Sequence, residues 1–233
     1  MIRSLLCIAL IIAAAPLHAE EEFVELFNGK NLDGWKGDAK VWSVEEGLLT
    51  GKSPEAKEDK LKANTFAIWD GEVGDFELIA EFRLEGDNNS GVQYRAQPNP
   101  KNGPFSIVGY QADIHPAANY TGMLYDEGGR GIAAERGQKV TLKPDGKNDV
   151  KPLDGKFDPV DLSDWTTIEV QAVGNRLIHK INGEVAVDVT DDDQKNAEAK
   201  GLLALQVHAG PDMKVQYRSI KLKDLSKAKS ESK

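Results

Sequence analysis

The chain has 233 residues, with 38 acidic against 29 basic side chains and a formal charge of −9 at pH 7. An acidic chain of pI near 5.1 lacks the basic footprint that nucleic acid or an anionic membrane surface demands, so neither is an expected partner. Its one cysteine, Cys7, excludes a disulfide framework, so stability must come from a packed core, which about 200 residues suffice to build.

Met1-Ile2-Arg3, the apolar run from Leu5 to Ala15 and the small-residue ending Pro16-Leu17-His18-Ala19 have the form of a secretory signal peptide. Cleavage after Ala19 is expected, leaving a domain over 20–225 and a charged tail over 226–233 expected to be disordered. The apolar run is too short to span a bilayer well. No integral membrane segment is therefore expected once the signal is removed, and the protein is expected to be exported, periplasmic or extracellular.

Along the chain, Phe27-Asn28-Gly29-Lys30 leads to Gly34-Trp35 through a turn whose Asn-Gly pair tolerates positive φ. Val41 to Val44 and Leu48 to Gly51 flank a Glu-Glu-Gly turn and predict a hairpin. Ser53 to Lys62 is charged and predicts a loop. Thr65 to Trp69 predicts a short strand. Asp75 to Leu84 gives the clearest strand, with Phe76, Leu78, Ala80, Phe82 and Leu84 alternating against Glu77, Ile79, Glu81 and Arg83.

Three further strands carry the chemistry. In Ser90 to Arg95, Gln93 and Arg95 lie opposite Val92 and Tyr94. In Gly109 to His115, Gln111 and Asp113 lie opposite Tyr110, Ala112 and Ile114. In Leu203 to His208, Gln206 and His208 lie opposite Leu203, Leu205 and Val207. Side chains on a strand alternate between faces. If the three strands share one sheet with their apolar rows on a core, all six polar side chains line its open face, where a polar, sugar-like molecule can bind. An ordinary antiparallel sheet with one wet face gives the same alternation.

The Tyr120-to-Gly131 stretch crowds acids, glycines and Arg130 together, suiting either a ligand loop or a plain surface loop. Gln138 to Pro159 shows little periodicity and predicts a long excursion. Trp165 to Val173, Arg176 to Ile181 and Glu184 to Val189 predict strands, the last two joined by the Asn182-Gly183 hairpin signal. Asp191-Asp192-Asp193 offers oxygen ligands for calcium, although such a run is more often solvated. No nucleophile elbow, phosphate-binding loop, dinucleotide fingerprint, zinc-protease motif or C-x-x-C is present. Of the histidines after the signal, His179 sits in a hairpin strand and reads as structural. His115 and His208 each lie two positions beyond a polar residue of the open face, which makes them candidates for an acid, a base or a metal ligand. Short strands with regular turn signals predict an all-β sandwich rather than a closed barrel.

In their order, Phe27-Asn28-Gly29-Lys30, Ser90-Gly91-Val92-Gln93-Tyr94-Arg95, Gly109-Tyr110-Gln111-Ala112-Asp113-Ile114, Leu124-Tyr125-Asp126-Glu127, Asp164-Trp165-Thr166, Ile181-Asn182-Gly183 and Leu203 to Gly210 resemble the 3-keto-disaccharide hydrolase domain family, also described as 3-keto-glucoside 1,2-lyase/3-keto-2-hydroxyglucal hydratase. The resemblance runs from about Phe23 to Leu225. Members often carry glutamate where this chain has Gln111, and the ending Gln-x-His-Gly stands here as Gln206-Val207-His208-Ala209-Gly210. The resemblance implies a concanavalin A-like lectin/glucanase jelly roll of two curved antiparallel sheets. It also implies an exported protein whose small carbohydrate substrate is an oxidised sugar.

A 3-keto group acidifies the C2 hydrogen, so the C1 substituent can leave by β-elimination if the site supplies a base, an enolate stabiliser and a proton donor. The residues expected to do this are Asp113 as general base, His208 as acid/base, Arg95 as enolate stabiliser and Glu127 as a second acid. Gln93, Gln111, Gln206, Tyr125 and Asp126 are expected to orient the sugar. A divalent metal is a candidate cofactor, with Asp113 and His208 as its candidate ligands. The rival reading is a non-catalytic carbohydrate-binding module, because this fold also serves lectins.

Overall fold

The computed structural model describes residues 22–155 and 157–226. The segment expected to be a signal peptide, and the tail beyond Ser226, lie outside the described residues.

Among the described residues there are seventeen strands, two 3-10 turns and no α-helix. The first nine strands are β1 (Val24–Glu25), β2 (Trp35–Lys36), β3 (Trp42–Glu45), β4 (Leu48–Lys52), β5 (Thr65–Val73), β6 (Phe76–Gly86), β7 (Ser90–Pro98), β8 (Ile107–Ile114) and β9 (Leu124–Glu127). Then follow β10 (Gly131–Ala134), β11 (Gln138–Leu142), β12 (Asp149–Pro152), β13 (Thr166–Val173), β14 (Arg176–Ile181), β15 (Glu184–Asp191), β16 (Gly201–Val207) and β17 (Met213–Asp224). No helix in this range is long and apolar enough to cross a membrane.

The strands form two packed sheets. One runs β10-β9-β8-β7-β16-β5-β2 and the other β12-β11-β15-β14-β13-β6-β17-β4-β3, with β1 paired to β17. The sandwich expected from the sequence is present, and the three polar-faced strands are consecutive neighbours, β8, β7 and β16. Their apolar rows, including Val92, Tyr94, Tyr110, Ala112, Leu205 and Val207, pack into the core against Phe76, Leu78, Phe82, Ile168 and Val170 of the other sheet. Each large side chain so buried contributes about 1.5–3 kcal/mol of transfer free energy, which is how a domain without disulfides is held together.

One pairing departs from the antiparallel expectation: β11 and β15 run parallel. The excursion read over Gln138 to Pro159 contains β11 and β12. Its Lys, Asp, Gly and Pro content hid a two-residue alternation, Val140 and Leu142, that is buried in the core, and β15 supplies the ladder bonds that local sequence does not announce. The Asn182-Gly183 hairpin is as expected, both residues lying at positive φ, 50° and 83°. His179 is structural. It is fully buried, with Nε2 2.8 Å from the Tyr94 hydroxyl and Nδ1 3.1 Å from the Gly122 carbonyl. Burial pushes its pKa down to about 4, so it stays neutral in the core.

Candidate active-site cleft

The core-averted face of β8, β7 and β16 is not open along its whole length. Phe66, Ala96, Ile107 and Ala204 form a small apolar cluster over one end, where the Phe66 N–H donates to the Phe105 carbonyl at 3.0 Å and so ties the loop before β8 across the face. The other end remains a cleft of about 310 Å³. Its walls are Gln111, Asp113 and His115 from β8 and its continuation, Tyr125 and Glu127 from β9, His208 beyond β16, Ile132 from β10, and Asn64, Asn89, Tyr120 and Met123 from connecting segments.

The register explains how these groups meet. Gln93 stands opposite Gln111, Gly91 opposite Asp113, and Tyr125 opposite Gln111. The Gln111 side chain lies across Gly91, where a Cβ would come within 2.5 Å of its amide carbon. Crossing there, the Gln111 amide donates from Nε2 to Asp113 Oδ1 at 2.7 Å and to Gln206 Oε1 at 3.3 Å. Asn89 donates a second bond to Asp113 Oδ1 at 3.3 Å. Asp113 Oδ2 is left without a partner, as is Gln111 Oε1. Burial pushes the Asp113 carboxyl up to about 7, against the two amide donors, and the Glu127 charge adds to the rise. Glu127 accepts a bond from Asn64 Nδ2 at 3.2 Å. Burial also raises its carboxyl above the usual range, opposed by the Asn64 hydrogen bond, the nearby His208 and a hydrogen bond from the Gln206 amide.

The two imidazoles present opposite faces of the same chemistry. The Ala117 N–H donates to His115 Nδ1 at 2.9 Å, so the neutral ring carries its proton on Nε2. His208 Nδ1 lies 2.6 Å from the Ala209 carbonyl and donates to it, leaving Nε2 free to take or give a proton. Burial, and then the charge of His208, lower the His115 pKa and hold that ring neutral.

Of the residues singled out in the sequence, Asp113, His208, Glu127, Gln111 and Tyr125 line the cleft and Gln206 bonds into its floor. Three do not take the expected place. Arg95 lies at positive φ, 49°, where the β7–β8 register shifts in a bulge, so strict alternation fails and Ala96 takes the outer face. Its guanidinium is buried, donating to the Gly74 and Gly174 carbonyls at 2.8 and 2.7 Å and to Asp75 at 3.1 Å. It therefore cannot stabilise an enolate in the cleft. Asp126 follows the alternation of β9 to the face opposite Tyr125 and Glu127 and accepts from Arg130 Nε at 2.7 Å, so it does not reach a sugar. Gln93 shares the correct face but is fully buried, with neither amide atom partnered.

Of the acid run only Asp192 is solvated. Asp191 and Asp193 are buried, and Asp191 binds the Arg130 guanidinium at 2.6 and 3.1 Å and the Tyr110 hydroxyl at 2.5 Å. Asn64, Asn89, Tyr120, Met123 and Ile132 were not singled out. Asn89 sits in a recognisable polar turn, but nothing local to any of them points toward Asp113. The donor set does not suit a resident metal: among the described residues no group of three or more His, Cys, Asp or Glu side chains is arranged to hold an ion, and Asp113 Oδ1 is already occupied by amide donors.

Several solved structures share the fold. A candidate glycosyl hydrolase from Parabacteroides distasonis is 23% identical, with a TM-score of 0.58 over 88% of this chain and 94% of that one. The carbohydrate-binding module CBM66 from Bacillus subtilis is 13% identical, TM-score 0.56, covering 82% and 96%. A Bacillus subtilis protein of unknown function with a galectin-like fold is 14% identical, TM-score 0.56, covering 83% and 90%. At these identities the likeness is one of fold. No curated protein matches the chain significantly. A family model does match, over residues 22–223 and so across both sheets and the cleft, and by that match the chain belongs to the family of 3-keto-alpha-glucoside-1,2-lyase-like domains, a carbohydrate-active family.

Proposed function

We propose that the protein is an exported enzyme that cleaves 3-keto-glycosides by removing the C2 proton and expelling the C1 substituent. The observation that carries this reading is the convergence on one cleft of a buried carboxyl held near neutrality, Asp113, and two imidazoles in opposite tautomers, His115 and His208. A base with a pKa near the working pH abstracts a carbon-bound proton best, being both ionised and strongly proton-attracting.

Asp113, which borders the cleft, takes the C2 proton on its carboxylate. The C–H electron pair becomes the C1=C2 bond as the C1–O bond breaks, with the negative charge passing transiently to the C3 oxygen. Neutral His115, donating from Nε2, stabilises that oxygen and takes the role first expected of Arg95. His208, protonated on Nε2, gives its proton to the departing oxygen. In the second half, His208 takes a proton from water as its oxygen adds to C1, and Asp113 returns its proton to C2. Both groups end as they began, and the sum is hydrolysis. No step passes through a metal. Two carboxylates across an oxocarbenium ion, the usual glycosidase device, are not needed.

A 3-keto-glucoside with a chromogenic leaving group tests this beside its unoxidised counterpart. Chromophore release from the keto sugar alone is expected. Release from both would sink the elimination mechanism, and binding with no release would make the protein a carbohydrate-binding module.

A further inference from the structure

We infer that Asn88 is a positioning residue for the acid of the proposed reaction: its buried amide holds the loop that presents His208, and so fixes which ring nitrogen faces the cleft. The inference rests on that reaction for the role of His208, while the hold on the loop stands without it. The β16–β5 pairing ends at Val207, so other contacts must shape the connection 208–212 that leads to β17. Three of its carbonyls turn onto one nitrogen. Asn88 Nδ2 donates to the Pro211 carbonyl at 2.9 Å and to the His208 carbonyl at 3.1 Å, with the Ala209 carbonyl at 3.5 Å. Asn88 is buried, so its two N–H groups have given up water for these acceptors. Gly210, at a φ of 125°, lets the loop curl around the amide. A Cβ on Gly86 would come within 2.4 Å of the Asp212 carbonyl oxygen, so the end of β6 packs directly against the backbone of the same loop.

The curl of the loop decides the ring. His208 Nδ1 donates to the Ala209 carbonyl at 2.6 Å, and that carbonyl belongs to the curl that Asn88 closes. Asn64 Oδ1 accepts from the Ala209 N–H at 3.1 Å and steadies the loop from the other side. If the curl opens, the carbonyl leaves Nδ1 and the Nδ1–H tautomer loses its partner. The residues after Asn88 act on the same site. Asn89 donates to Asp113 Oδ1, and Ser90 Oγ donates to the Gln206 carbonyl at 2.7 Å. The turn between β6 and β7 therefore holds the acid through one asparagine and the base through the next, which sets the separation of the two.

The test compares the full protein with Asn88→Asp, which keeps the shape and exchanges the donating NH2 for an oxygen. Asn88→Ala adds no charge and remains informative if Asn88→Asp fails to fold. Long-range 1H–15N spectra of histidine-labelled protein read the tautomer, with His208 assigned by the signals lost in His208→Gln. The neutral ring is expected to carry its proton on Nδ1 in the parent and to shift toward the Nε2–H form in the variants. A variant that melts lower but keeps the Nδ1–H form would overturn the inference. Turnover gives a second reading, because methoxide must be protonated as it leaves whereas a nitrophenolate need not be. In the variants kcat should fall roughly a hundredfold for methyl 3-keto-glucoside, the scale of a small misplacement of a reacting group, and only about twofold for the nitrophenyl 3-keto-glucoside, with KM little changed. Equal losses on both substrates would overturn the inference. If the parent cleaves neither sugar, the proposed reaction falls, and the tautomer of His208 alone decides whether Asn88 positions the ring.

Discussion

Asp113 is where the energetic cost of the site is concentrated. Its carboxyl is buried, one oxygen takes two amide bonds, and the other has no partner. Its pKa of about 7 lies above the unfolded value, so the native state holds a proton that the unfolded chain releases. Stability from this group is therefore fully present below about pH 4, is lost as pH rises toward 7, and stays lost above. Its use as a base runs the other way. The kcat/KM for a 3-keto-glucoside is expected to fall about tenfold per unit as pH drops below about 7, the acid limb set by Asp113. Asp113→Asn keeps an oxygen for the Gln111 and Asn89 donors and removes the charge. That variant should lose roughly 100- to 10,000-fold in rate while melting higher than the parent at pH 8, a difference that shrinks by pH 5. A variant that keeps its activity, or one that melts lower at pH 8, would end the assignment.

At the scale of strands, the site is built by β8 and by what its neighbours leave out. Gly91 on β7 is a gap through which the Gln111 amide crosses to Asp113 and Gln206. In Gly91→Ala the new methyl group meets the movable end of Gln111, so the amide swings away and the strand pairing survives. Activity should drop on the order of a hundredfold, as for other small misplacements of reacting groups. The far-ultraviolet circular dichroism should be unchanged, and full activity would show that the Gln111 bridge is dispensable. The same strand shows where alternation misleads. Gln93 obeys it, but one residue of positive φ at Arg95 turns that side chain away from the face it was expected to share. A bulge is a property of the paired strands, and a single strand's sequence does not announce it.

For the whole molecule, Arg130 joins the two sheets beside the cleft. It binds Asp126 on β9 of one sheet and Asp191 at the end of β15 in the other, and Tyr110 reaches Asp191 from β8. Removing the guanidinium in Arg130→Met strands buried carboxylates, and about 3–5 kcal/mol of stability should be lost at neutral pH. Urea unfolding measures this, and a loss within experimental error would make the cluster incidental. Glycine and acid content drew attention to this stretch, but the partners lie 61 residues apart in sequence, so only the docked sheets show that the acids hold the sandwich together rather than a ligand. The same division runs through the protein. Periodicity of two, turn chemistry and apolar rows determined by themselves that the chain is a sandwich and that β7, β8 and β16 each carry a polar face, because those signals act over a few residues. The closure of one end of that face by an apolar cluster, the burial that raises Asp113, the opposite tautomers of His115 and His208, and the entry of Ile132 and Asn64 into the cleft were decided by tertiary structure. Desolvation and cross-sheet contacts exist only once distant segments are packed together.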